Sequence, residues 1–151
     1  MTMPPLVISL NCMKVCALDV VGVIPDELWN LTFLTILYLA QNYLTGPLSA
    51  SIGNLRMMQN MSVGLNALSG ELPKELDSLL IYDFFLLGQA TSLSLTIVWA
   101  SDNELTGNIP DFIGKWSKLT ELRLQGNSFE GPISSSFSSL TSLTNLRISD
   151  I

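Results

Sequence analysis

The chain contains no histidine. That absence removes Ser-His-Asp hydrolysis, imidazole-ligated metal centres and any His-Arg-Asp catalytic loop. Charge is also scarce. Asp, Glu, Lys and Arg make up 13% of the 151 residues, against about 25% in an ordinary soluble domain. The seven Lys and Arg residues are scattered singly in a chain of net charge −6, so the clustered basic surface that a nucleic acid needs is missing. Two cysteines, Cys12 and Cys16, are too few for a four-thiolate zinc site. Their spacing leaves three readings open: two unpaired thiols, a local disulfide, or a bond to a cysteine outside this chain. No residue set points to a cofactor or a metal. No apolar run reaches the roughly 18 residues of a membrane span. The longest, Leu79 to Leu87, is interrupted by Asp83. The first ten residues lack the basic start and continuous apolar run of a signal peptide, so the chain as given is expected to carry no targeting segment.

What the chain does have is a beat of 24 residues. Gly22, Gly46 and Gly70 keep it, as do Gly107 and Gly131. Asn42 and Asn66 keep it too, and so do Asn103 and Asn127. Before each asparagine, apolar residues fill fixed slots: Leu31, Leu34, Leu37 and Leu39 in one repeat, Leu55, Met58, Met61 and Val63 in the next, and Leu119, Leu122 and Leu124 in a later one. A fixed period in the range of about 20–29 with this spacing marks a leucine-rich-repeat solenoid. It also explains the low charge, because every repeat donates several apolar side chains to one continuous core.

The slots predict the architecture. The two leucines of each LxL point inward from a short strand, and their neighbours point outward. Stacked strands form a parallel sheet on a concave face. Each asparagine turns its amide into the bend and satisfies backbone groups that would otherwise be buried unpaired. The expected ladder is Asn42, Asn66, Asn103 and Asn127. The glycine supplies freedom at the turn, and the Ile-Pro after it reads as a short extended segment on the opposite flank. The expected fold is an α/β-type solenoid, mostly strand, turn and short 3-10 segments, wound as a right-handed superhelix. It forms one domain, 1–151, of about five full or near-full repeats plus partial ones.

One interval breaks the beat. Gly70 and Gly107 lie 37 apart, thirteen more than a repeat. Leu79, Tyr82, Phe85 and Leu87 fit the strand half of a repeat, and no glycine–proline turn follows before Leu95, Val98 and Ala100 start another. This favours an out-of-step half-repeat at 79–95, left by a deletion, over an inserted loop.

The half-repeats Gly22-Val23-Ile24-Pro25, Gly70-Glu71-Leu72-Pro73 and Gly107-Asn108-Ile109-Pro110 carry the mark of the plant-specific repeat class. The run from Val20 to Leu55 resembles the extracellular domain of plant receptor-like Ser/Thr kinases, most of all the subclass with a malectin-like domain. The resemblance implies repeats that face the cell wall at the plasma membrane and take part in signal transduction. It carries over no catalytic residue. The glycine-rich loop, catalytic lysine and magnesium-binding motifs of a kinase have no counterpart here, so the chain itself is expected to be no enzyme.

Candidate contacts are the outward strand positions of the concave face: Tyr38, Gln41, Ser62, Trp99, Ser101, Asp102, Glu121, Arg123, Gln125 and Arg147. Tyr38 and Trp99 stand out, since exposed aromatics anchor partners, and Glu121, Arg123 and Arg147 gather late in the chain. Two sequons, Asn30-Leu31-Thr32 and Asn60-Met61-Ser62, offer glycosylation at Asn30 and Asn60 if the chain is secreted. The expected partner is a protein or peptide ligand, a co-receptor or a wall glycan. The alternatives are a secreted inhibitor of a wall-degrading enzyme and a truncated product without independent function.

Overall fold

The computed structural model describes residues 11–79, 84–86, 89–91 and 94–149, with the two internal triplets described by backbone alone. Each LxL becomes a three-residue strand. Cys12–Lys14, Ile36–Tyr38, Asn60–Ser62, Ile97–Trp99, Glu121–Arg123 and Asn145–Arg147 pair in parallel, in that order. The middle residues Leu37, Met61, Val98 and Leu122 are buried. With Leu34, Leu39, Leu55, Met58, Val63, Leu119 and Leu124 they belong to one core running along the solenoid. Strand pairs contribute little by themselves at three residues each. Burial of the repeated apolar slots, at about 25 cal/mol per Å² of apolar area, holds the stack together.

A second parallel sheet lies just after the bends. Its strands are Val21–Val23, Tyr43–Pro47, Ala67–Glu71, Glu104–Asn108 and Ser128–Glu130. The sequence placed an extended segment at the Ile-Pro after each glycine, just past these strands, and did not anticipate a paired sheet. The register differs between the sheets. In the concave one Ile36 pairs with Asn60, which is one full repeat on. In the second, Val21 pairs with Tyr43 and Thr106 with Ser128, two residues short of a repeat. Strands of the second sheet are therefore staggered from repeat to repeat, while those of the concave sheet stand level.

Single 3-10 turns close the far side at Asp26–Asn30, Ala50–Asn54, Lys74–Leu79, Asp111–Lys115 and Ser135–Ser139. Two chemistries start them. Pro25 and Pro110 bring a fixed φ near −69° and −67°, which suits the entry residue. Ser49 and Ser134 instead accept a hydrogen bond from the backbone N–H two residues on, each at 3.2 Å. Each of the first four turns buries an apolar residue against the core: Leu28, Ile52, Leu76 and Ile113.

The out-of-step half-repeat is corrected by the strand pairing. Asn60–Ser62 pairs directly with Ile97–Trp99, and no strand lies between them. Phe84–Leu86 pairs with Gln89–Thr91, antiparallel and outside both parallel sheets. Leu79 and Leu95 are both buried, and they fill the slots that Leu55 and Met58 fill one repeat earlier. Those slots are normally three residues apart. The extra thirteen residues are therefore an insertion, 80–92, within one otherwise regular repeat. Its apolar spacing imitated the strand half of a repeat, which misled the reading. Tyr82 and Leu87 lie outside the described residues.

Candidate functional site

Register brings the outward side chains into rows. The middle row runs Lys14, Tyr38, Ser62, Trp99, Arg123, Arg147, one residue per successive strand. The Lys14 ammonium stands 5.3 Å from the centre of the Tyr38 ring. The Arg123 guanidinium stands 4.1 Å from the centre of the Trp99 ring. Glu121 ties that end together: it accepts from Trp99 Nε1 at 3.1 Å and from Arg123 at 3.0 Å. Each aromatic thus has a cation on the side away from Ser62. Between them lies a notch of about 340 Å³, lined among others by Tyr38, Ala40, Ser62, Gly64, Trp99 and Ser101. Ser62 itself is 5% exposed.

The remaining candidates separate. Arg123 is committed to Glu121 and Trp99, with its Nε buried and without a partner among the described residues, so it does not form a free cationic pair with exposed Arg147. Gln41 and Asp102 are not on strands, contrary to expectation. They sit on the bend with φ of 59° and 55°. Leu65 and Ala17 do the same at 55° and 53°, and Gly126 at 68°. One left-handed residue thus precedes every ladder position, and it reverses the chain so that the next side chain turns inward. The sequence hid this rule, because only Gly126 is a glycine. Ser101 and Gln125 follow the strands rather than lying in them, and the Gln125 Oε1 is buried without a partner among the described residues.

The ladder asparagines each bridge two repeats. Asn66 Nδ2 donates to Leu39 O at 3.1 Å in the previous repeat and to Val63 O at 3.0 Å in its own, while Oδ1 accepts from Leu44 N at 3.0 Å. Asn103 and Asn127 repeat the pattern. Asn42 does the same one step earlier, and its Oδ1 receives the N–H of both Leu18 and Val20. The degenerate first repeat, with Leu18 in the asparagine slot, is thus held by its neighbour's amide.

Asn30 is exposed at the end of its 3-10 turn. Asn60 is half-buried at the start of a concave strand, and its Oδ1 accepts from Thr96 Oγ1 at 2.6 Å. Cys12 and Cys16 are both free thiols. They flank Lys14 along extended backbone, roughly 13 Å apart at about 3.3 Å per residue, beyond the reach of a disulfide. Among the described residues no group of His, Cys, Asp and Glu has metal-ligand geometry, and no helix is long and apolar enough to cross a membrane.

Known proteins share the repeat fold. The Leucine Rich Repeat family model matches residues 33–55, 94–116 and 118–140. Receptor-like protein 41 of Arabidopsis thaliana is 34% identical over 125 residues, covering 83% of this chain and 13% of that protein. The leucine-rich-repeat ectodomain of the Arabidopsis thaliana membrane receptor kinase GASSHO1/SCHENGEN3, solved with CASPARIAN STRIP INTEGRITY FACTOR 2, is 32% identical. It superposes with a TM-score of 0.78 over 90% of this chain and 15% of that one. The Arabidopsis receptor kinase HAESA, solved with the peptide hormone IDA and the co-receptor SERK1, is 25% identical, with a TM-score of 0.71 over 83% of this chain and 19% of that one. The chain spans only a small part of each of these relatives.

Proposed function

This chain is a leucine-rich-repeat solenoid related to plant receptor ectodomains, and on that premise we propose that its concave sheet is a non-catalytic recognition surface for an extracellular ligand or co-receptor. The observation that carries this reading is the middle row. Two half-exposed aromatics and three cations stand side by side on strands that need none of them for the core. Relatives solved with a peptide hormone and a co-receptor support a partner of that kind, with a wall glycan as the third class. The same proposal puts the chain outside the cell, at the plasma membrane, and its glycine–proline half-repeats are what support a receptor of the subclass with a malectin-like domain. In that setting Asn30, exposed on the flank, and Asn60, at the groove, are the glycan acceptors. The lack of histidine and of any kinase motif supports a binding role without chemistry.

The test is a paired capture. The chain and its Tyr38→Ala/Trp99→Ala variant are immobilised and exposed to the peptide and glycan fractions of plant extracellular fluid. Both substituted side chains lie outside the buried core, so the variant should keep its circular dichroism and melting temperature. Species retained by the parent and lost by the variant are expected. Identical retention by a folded variant would exclude the concave row as the recognition surface.

A further inference from the structure

Within that row, and resting on the recognition reading above, the notch at Ser62 has a chemistry of its own. Tyr38 and Trp99 stand one strand to either side of Ser62. Two strand spacings put them about 10 Å apart. A flat saturated group between them would lie roughly 5 Å from each ring, within the 4.5–7 Å range of ring contacts. The floor is made for close approach, because Ala40, Gly64 and Ser101 line it and carry little bulk. At its centre Ser62 is 5% exposed as a residue, and its hydroxyl pairs with no other group among the described residues.

Three features narrow the occupant. Lys14 and Arg123 already stand over the two rings, and Arg123 also lines the notch, so the rings have little left to offer a cation. The Arg123 charge is met by Glu121 at 3.0 Å, so an anion gains little either. Ser62 lies on an interior strand, paired on both sides, which leaves no open backbone for an extended peptide to add to the sheet. What remains is a neutral group with C–H faces to lie against rings and a hydroxyl edge to meet a buried serine. We infer that the notch between Tyr38 and Trp99 is a subsite for a neutral pyranose ring of an oligosaccharide, with the Ser62 hydroxyl as its polar contact.

The molecule carries its own reporter. Of three tryptophans, Trp29 and Trp116 are 1% exposed, and only Trp99 reaches the notch. Titration with cellotetraose at millimolar concentration should change tryptophan emission saturably. Ser62→Leu fills the notch and should weaken the response about tenfold or more. Tyr38→Ala removes one wall from the half-exposed row and should do likewise, with both melting temperatures checked. A neutral proline-containing tetrapeptide is the comparator. No response to cellotetraose, or an equal response in a folded Ser62→Leu variant, overturns the pyranose subsite. If the tetrapeptide alone gives a Ser62-dependent response, the saccharide assignment fails while the concave face stands as a recognition surface. If Tyr38→Ala/Trp99→Ala also retains every captured species, the recognition reading itself has failed.

Discussion

At the scale of single residues, the amide of each ladder asparagine has more depending on it than any other side chain of its size. Asn66 serves two carbonyls of its own repeat, one carbonyl of the previous repeat and one N–H. Asn66→Leu leaves the Leu44 N–H unpaired, at roughly 1–3 kcal/mol when buried, while Leu39 O, Val63 O and Gly64 O each lose one donor and keep Asn42, Asn103 and the Gln41 N–H. Asn108 is exposed at the end of a strand of the second sheet. Asn108→Leu should move the denaturant midpoint far less than Asn66→Leu, and equal shifts would show that the ladder carries no special stability. The residues before the asparagines carry the opposite sign. Three non-glycine side chains there, Gln41, Leu65 and Asp102, accept a left-handed backbone, which costs of order 1–2 kcal/mol at an L-residue. The bend imposes that conformation because only it delivers the asparagine inward.

At the scale of elements, the 3-10 turns pack so closely that a glycine is required in two of them. A Cβ on Gly114 would come to 2.5 Å of the Ser136 backbone oxygen in the next turn. Gly114→Ala must therefore push two turns apart, and it should cost about 1–3 kcal/mol by overpacking. Chemical denaturation checks this against Lys115→Ala, which removes only the exposed ion pair to Asp77 and should change stability little. The insertion is an element of another kind. Leu79 and Leu95 already occupy consecutive core slots, so removal of residues 80–92 joins them at the ordinary spacing. The shortened chain should keep a two-sheet circular dichroism spectrum and melt within a few degrees of the parent, because loop length enters stability only logarithmically. Loss of cooperative unfolding would mean that the insertion is built into the core after all.

At the scale of the whole molecule, stability is a sum over neighbours. Each repeat touches the one before and the one after, and long-range cooperation reduces to a chain of such interfaces. Position in the stack should then set the cost of identical changes. Leu122, wholly buried between two repeats, and Leu146, 45% exposed in the last described strand, occupy equivalent slots. Leu122→Ala should cost about 2–5 kcal/mol, and Leu146→Ala a small fraction of that, as read from urea unfolding. Equal costs would argue that some further layer covers Leu146. The same stacking generates the recognition surface. A row of outward residues forms only because successive strands stand level in the concave sheet.

The sequence by itself determined the solenoid, the parallel concave sheet and the inward asparagines, because a period of 24 with apolar slots has one economical way to bury them. It placed Tyr38, Trp99 and Arg123 on the outward side, since strand alternation is local, but it put Gln41 and Asp102 on strands where the bend holds them. It did not determine which outward side chains become neighbours, because that depends on register across residues 24 or 37 apart. Only the paired strands put Lys14 behind Tyr38, Arg123 behind Trp99, and Ser62 between the two rings. The second sheet, with its two-residue stagger, and the insertion at 80–92 were likewise decided in three dimensions. Backbone pairing between distant segments follows from how whole repeats dock, and the apolar spacing of a single segment cannot distinguish a stacked strand from a hairpin that leaves the stack.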